Sequence, residues 1–221
     1  MRKIRRFIIK TALLFLVLSV LPVITYRYIP VPITPLMIIR HAKNSAPLYH
    51  KWTPIEQISP YLVQAVVTSE DNLFLTHKGF DKKAILDAIE EAKEGLRSRG
   101  ASTISQQTAK NVFLWPGRSW IRKGLETYFT ILIEMIWSKE RIMEVYLNSI
   151  EMGDGIYGAW AVAEHHFNTT PDKLTRSQCA LIAGSLPNPL IMNSKKPSSY
   201  LLRKQSTILR NMNNIGQVKF K

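Results

Sequence analysis

The sequence predicts a mainly α domain carried on a single N-terminal membrane-spanning helix, and three observations support this. An uncharged apolar run extends from Thr11 to Tyr26 behind a basic tip. After Thr53 apolar residues recur at helical spacing, and alternating strand patterns are hardly visible. The chain has 221 residues, 46% of them apolar, enough for one cored domain with an appendage. Its formal net charge of +14 calls for a polyanionic partner: nucleic acid, anionic lipid or a phosphorylated substrate. With Cys179 as the single cysteine, no intramolecular disulfide forms, and no Cys/His pair has zinc spacing. His165 and His166 are adjacent, so they point to different faces of a helix and do not chelate one metal together. The pattern HExxH is absent.

The tip, "MRKIRRFIIK", holds five basic residues and no acid. The run behind it falls short of the roughly 20 residues of a typical span, but Phe7, Ile8 and Ile9 extend it while Lys10 snorkels. The basic flank stays in the cytoplasm, which places everything after Arg27 on the far side. A cleaved signal peptide is the rival reading, and it lacks support because "VLPVITYRYIPVP" offers no small-x-small site. Setting the five tip cations aside leaves a net +9 on residues 11–221. Beside a membrane, that surplus suits anionic headgroups or a phosphate-bearing substrate more than nucleic acid.

Residues 1–29 are thus tip and anchor. Residues 30–53, with Pro30, Pro32, Pro35 and Pro47, read as an extended linker, and residues 54–221 as the globular domain. There "SPYLVQAVVTSE" is an apolar helix ending at an acid pair. "DKKAILDAIEEAKEGL" has Asp81 as N-cap and Ile85, Ala88, Ile89, Ala92 and Leu96 on one face. "STISQQTAKNVF" begins with a Ser/Thr cap. "WIRKGLETYFTILIEMIW" is long and apolar. "SKERIMEVYLNSI", "AWAVAEHHF", "RSQCALIAGSL" and "PSSYLLRKQSTILRNM" complete the helices. No repeat or low-complexity segment interrupts them.

Five stretches are candidates for chemistry. Glu70 closes an apolar helix, and desolvation there raises a carboxyl toward the range of a general acid or base; the plain alternative is a helix-end carboxylate paired with a lysine. In "RGASTISQQTAKN", Gly100 gives a flexible entry and the helix start suits a phosphate. Gln106 and Lys110, four apart, would present an amide and an ammonium on one face. Arg118 sits between two tryptophans in "WPGRSW", suiting a membrane interface or a sugar–phosphate contact. In "RKGLE", Arg122 and Lys123 precede Glu126 in the weaker order for helix pairing, on a helix so apolar that Glu126 must face something specific. Glu144 and Asn148 in "KERIMEVYLN" read as structural and Cys179 as core. "GDGIYG" is glycine-rich, but no strand pattern precedes it, so a dinucleotide reading has little support.

Together and in this order, "EDNLFLTHKG", "GASTISQQTAKN", "RKGLE", "KERIMEVYLN" and "ALIAGSLPNP" resemble the five successive motifs of the peptidoglycan glycosyltransferase family, from about Pro54 to Pro189. "YLNSIEMGDGIYGAWAVAEHHF" is especially similar to its monofunctional biosynthetic members. Ala101 departs from the pattern, since many relatives have a second glycine there. No serine is followed three residues later by lysine and there is no Lys-Thr-Gly, so no penicillin-binding module is expected on the chain.

The resemblance implies a lysozyme-like fold, with a helical lobe, a smaller membrane-facing lobe carrying Trp115 and Trp120, and a cleft between them. It implies polymerisation of lipid II, in which the 4-hydroxyl of an incoming lipid II attacks the anomeric carbon of the growing glycan strand. Undecaprenyl pyrophosphate leaves and the linkage inverts. Glu70 matches the family's base, and Lys110 and Arg118 its pyrophosphate-binding cations, with Ser102, Gln106 and Gln107 lining the same side. Glu126 matches the second essential acid, with a divalent ion (Mg or Mn) as a candidate helper. Asp71, Phe74, His77 and Gly79 match the motif that shapes the base's loop. Asn111, Arg122 and Lys123 join the substrate-binding set. Implied partners are lipid II, the growing strand, membrane lipids and other cell-wall synthesis proteins, at the bacterial cytoplasmic membrane. Two other classes stand beside this one. A lysozyme-like muramidase would use a glutamate in a sugar cleft but has no need of a pyrophosphate clamp or a permanent span. A non-catalytic cell-wall scaffold would not need both Glu70 and Glu126.

Overall fold

A computed structural model describes residues 2–44, 47–95, 100–117 and 119–220. Leu96 and Arg118 lie outside the described residues. Helix α1 (Arg2–Tyr26) buries only Ser19 and Val23, so Phe7, Leu14, Leu18 and their neighbours face outward. Its 25 residues rise about 37 Å, enough to cross a hydrocarbon layer of about 30 Å. The C-terminal half of α1 does not hang free. Ser19 shares a 2.8 Å hydrogen bond with the Tyr128 hydroxyl, and the Trp137 indole donates to the Val23 carbonyl at 2.7 Å. The Arg141 guanidinium donates to the carbonyls of Tyr26 and Ile29. The anchor is therefore bonded to the domain it carries.

The stretch expected as an extended linker is folded onto the domain. Pro35 begins a helix, a position that proline suits because no backbone N–H is needed there, and the Thr34 hydroxyl accepts from the Met37 amide at 3.3 Å. The result is α2 (Pro35–Asn44), with Val31 and Met37 buried. Strand β1 (Tyr49–His50) follows. The prolines thus punctuate local structure instead of holding the chain open.

Helix α3 (Pro60–Glu70) has proline in its first turn and is buried continuously from Leu62 to Thr68. A helix apolar all round belongs inside, so Glu70, at its end, is left at the edge of the core. Asp81 caps α4 (Lys82–Lys93) as expected, its side chain accepting from the Ala84 amide at 3.0 Å. The apolar face of α4 does not enter the core, for none of its residues is buried and Ile89 is 47% exposed. Then come α5 (Ile104–Phe113), α6 (Trp120–Ile136) and α7 (Lys139–Ser149). β2 (Glu151–Gly153), β3 (Ile156–Tyr157), α8 (Gly158–Phe167), α9 (Arg176–Ser185) and α10 (Ser199–Ile215) complete the described chain. In the core, α3 packs on α9 and α10, and α5 on α6 and α7. Cys179 is wholly buried there.

A strand does precede the glycines of "GDGIYG", contrary to the sequence reading. The three strands form a small sheet in the order β1-β3-β2, β1 parallel and β2 antiparallel to β3. At two or three residues each they are too short to show alternation. Gly155, at φ +68°, turns the chain so tightly that a Cβ would lie 2.0 Å from the Pro47 carbonyl. That crowding gives the glycine a packing role and no dinucleotide one. Asn148 and Glu144 are structural: Asn148 bridges both backbone groups of Thr53, and Glu144 pairs with Arg141 and accepts from the Ile55 amide.

Candidate active site

The chain leaves α3 through Asp71, which never points into solvent. Its carboxylate accepts from the His77 Nε2 at 2.9 and 3.0 Å and from the backbone N–H of Ile104 at 2.9 Å. His77 Nδ1 accepts from the Gly79 amide at 3.0 Å, which leaves Nε2 as the nitrogen carrying a proton toward Asp71. Gly79 takes φ +89°, its carbonyl accepts from the Thr103 hydroxyl at 2.7 Å, and a Cβ there would stand 2.8 Å from Thr130 Cγ2. Phe74 is fully buried beneath this loop, with the Lys139 ammonium 4.6 Å from its ring centre. Asp71, Phe74, His77 and Gly79 thus form one brace that ties the loop after Glu70 to the start of α5.

That start is a capping box: the Thr103 hydroxyl accepts from the Gln106 amide, and the Gln106 side chain accepts from the Thr103 amide. Gln106 is 5% exposed. Its side-chain oxygen is committed to the cap and the residue is buried, so Gln106 presents little surface beside Lys110. Gln107 is placed differently. Its amide nitrogen donates to Glu70 Oε2 at 3.0 Å, while its oxygen accepts from the Tyr146 hydroxyl at 3.2 Å. Burial holds the Tyr146 phenol well above its ordinary pKa, with the Glu70 and Asp71 charges adding to the effect. It therefore stays neutral and donates, which fixes Gln107 with its NH₂ toward Glu70.

Glu70 is half-buried, and burial raises its carboxyl above the ordinary value. The Gln107 hydrogen bond, the Lys204 charge, the Ser69 hydroxyl and the Lys110 charge oppose that rise in decreasing order. Sequence reading missed Lys204. It sits on α10, far along the chain, where nothing local distinguishes it from other surface lysines; its ammonium donates to the Gly184 carbonyl at 2.9 Å. A recess of about 190 Å³ opens beside Glu70, bordered by Asp71, Asp81, Gly100 and the exposed Ser102.

Toward the C-terminal end of α5 lies a cleft of about 310 Å³ lined by Lys110, Asn111, Arg122, Arg40 and Glu151. Burial lowers the Lys110 ammonium below the ordinary lysine value; Arg122 and Lys123 push the same way, and Glu126 and Glu70 oppose. Glu126 is 3% exposed and pairs with both Arg122, at 3.3 Å, and Lys123. Glu126 is thus a buried carboxylate held by two cations. Among the described residues the Arg122 Nε is buried with no hydrogen-bond partner, a donor left without an acceptor of its own.

A divalent cation does not fit the residues around Glu126. Such hard ions take several oxygen ligands, whereas both Glu126 oxygens already accept from cations. No three His, Cys, Asp or Glu come together as a metal set among the described residues. The site can do two things chemically: hold a proton acceptor whose affinity burial has raised, and gather negative charge in a cation-lined cleft nearby. An enzyme that takes a proton from one group while an anionic group leaves another needs both.

The transglycosylase family profile matches residues 38–213. A biosynthetic peptidoglycan transglycosylase of Bacteroides thetaiotaomicron is 57% identical over 96% of this chain and 88% of its own length. One from Caulobacter vibrioides is 52% identical over 88% and 86%, and one from Pasteurella multocida 42% identical over 98% and 90%. The chain belongs to the transglycosylase family. The match begins at residue 38, inside the stretch expected as linker, in keeping with the packing of α2.

Proposed function

We propose that the chain polymerises lipid II into linear glycan strands by inverting transfer, releasing undecaprenyl pyrophosphate. The protein is a peptidoglycan glycosyltransferase. The observation that carries it is the setting of Glu70: an acid with a raised proton affinity, clamped by Gln107, beside a separate cation-lined cleft. Glu70 takes the proton of the acceptor 4-hydroxyl as the oxygen attacks the anomeric carbon. Lys110, with Arg118, meets the charge that gathers on the departing pyrophosphate. Glu126 orients Arg122 at the same cleft and pairs with Lys123. No step is assigned to a metal. Incubation with lipid II should yield polymer and one lipid pyrophosphate per bond, while finished wall glycan should not be shortened. Shortening would identify a muramidase.

The Gln107 contact gives a pH prediction. Its hydrogen bond favours the ionised form of Glu70, so Gln107→Leu should raise the pKa of Glu70 further. As the base works ionised, the acid limb of the kcat/KM profile should move to higher pH. An unmoved limb would remove Glu70 from that role.

The reading also sets the topology: tip and anchor at residues 1–29, the folded stretch 30–53, and the transferase domain at 54–221 outside the cytoplasmic membrane. The five tip cations favour that orientation. A reporter active only in the cytoplasm, fused after Lys221, should be silent; a bright signal would place the domain on the wrong side for this substrate.

A further inference from the structure

Part of the lining of the cleft that holds Lys110 and Arg122 comes from outside the five motifs named above. Leu36 and Arg40 come from α2, and Glu151 from β2. Glu151 is 8% exposed, and burial raises its carboxyl above the ordinary range. One of its oxygens accepts from the Tyr157 hydroxyl at 3.2 Å, and the other lies 3.5 Å from one Arg40 nitrogen. That is Arg40's one ion pair among the described residues, and about a third of its side chain remains exposed. A guanidinium has five donor hydrogens, and one long contact uses little of that capacity. The buried acid therefore holds Arg40 at the cleft while leaving most of its donors for a ligand.

We propose that Arg40 is a further substrate-binding residue, a cation that contacts the phosphates of the lipid-linked pyrophosphate in the cleft it lines together with Lys110 and Arg122. The inference rests on the reading of this cleft as the pyrophosphate site. A pyrophosphate presents more oxygens than one cation satisfies. The Arg122 Nε, buried with no hydrogen-bond partner among the described residues, is a second donor suited to the same anion. Residues 27–34 alone separate α1 from α2, so Arg40 is tethered close to the end of the anchor, where the phosphates of a membrane-held lipid lie. Glu151 positions it.

The plain alternative is an Arg40–Glu151 pair that only supports the fold. Arg40→Ala alone would strand a buried acid, so the decisive variant is Arg40→Ala with Glu151→Gln, which removes both charges. The probe is undecaprenyl pyrophosphate in mixed micelles, titrated against the full-length protein, with KM and kcat for lipid II measured in parallel. The double variant should bind the probe about tenfold more weakly, the loss expected for one charge-assisted contact, and lower kcat/KM for lipid II by at least a similar factor. Arg40→Lys should recover part of the loss. Lys110→Ala serves as the control for the cleft. If Lys110→Ala weakens binding but the double variant binds like wild type, the Arg40 assignment fails and the cleft reading stands. If neither variant weakens binding, the cleft reading fails and this inference with it.

Discussion

Glu70→Gln should lose polymerisation of lipid II while remaining folded. The amide keeps the size of the side chain and an oxygen for Gln107, but it does not accept a proton at neutral pH. Turnover should fall by at least the roughly 10²–10⁴-fold that a general base contributes. Binding of a substrate analogue should persist, because the cations of the cleft are untouched. Stability should move the other way. Burial raises the folded pKa of Glu70 above its unfolded value of 4.5, so ionising it costs folding free energy from that value upward and through the raised pKa. The neutral variant should accordingly melt no lower than wild type at neutral pH, and higher if the charge is the main cost. Asp71→Asn separates the neighbours. Asp71 satisfies His77 and the Ile104 amide, and an amide cannot serve both donors as well. Its main expected effect is a lower melting temperature, with a milder loss of rate than at Glu70. A Glu70→Gln protein that binds normally and still polymerises would move the base elsewhere, Glu126 being the next acid to test.

Lys110→Ala should have the second-largest effect. The ammonium is half-buried, lines the cleft with Arg122, and feels the charges of Glu126, Arg122 and Lys123. Removing one cation that meets leaving-group charge in a desolvated site costs on the order of 3 kcal/mol, or about a hundredfold in rate. Folding should not suffer in proportion. Burial already opposes the Lys110 charge, and Glu126 keeps its pairs with Arg122 and Lys123. The measurement is turnover at saturating lipid II together with a melting curve. Arg118→Ala is expected to behave alike. Near wild-type turnover in both would withdraw the pyrophosphate assignment.

How far the chain could be read in advance follows from how local each signal was. The apolar run of α3, the cap at Asp81 and the Thr103 cap of α5 are each encoded within a few residues, and each is present. The desolvation of Glu70 followed from the same run. The use of neighbouring side chains was not legible. Spacing places Gln106 and Lys110 on one face, but it does not reveal that Gln106 is spent on its own cap. Nor does it reveal that Gln107 is pinned between Tyr146 and Glu70. α4 shows the limit of periodicity: its apolar stripe is real, yet it faces outward, because a helical pattern does not say what will cover it. Lys204 and Arg40 reach the site from α10 and α2, so only the tertiary packing brings them there. The same packing turned a proline-rich stretch into a wall of the cleft.

The central claim is a single displacement in which Glu70 acts as a base and never bonds to the sugar. The anomeric configuration of the new linkages tests this most directly. Purified protein should be given lipid II, whose anomeric bond is α, and the linkages of the polymer assigned by NMR. The account predicts that every new linkage is β, with lipid pyrophosphate released in step. Retained α linkages, or a glycosyl–Glu70 adduct trapped during turnover, would contradict it, because the carboxylate would then be a nucleophile and the transfer a double displacement.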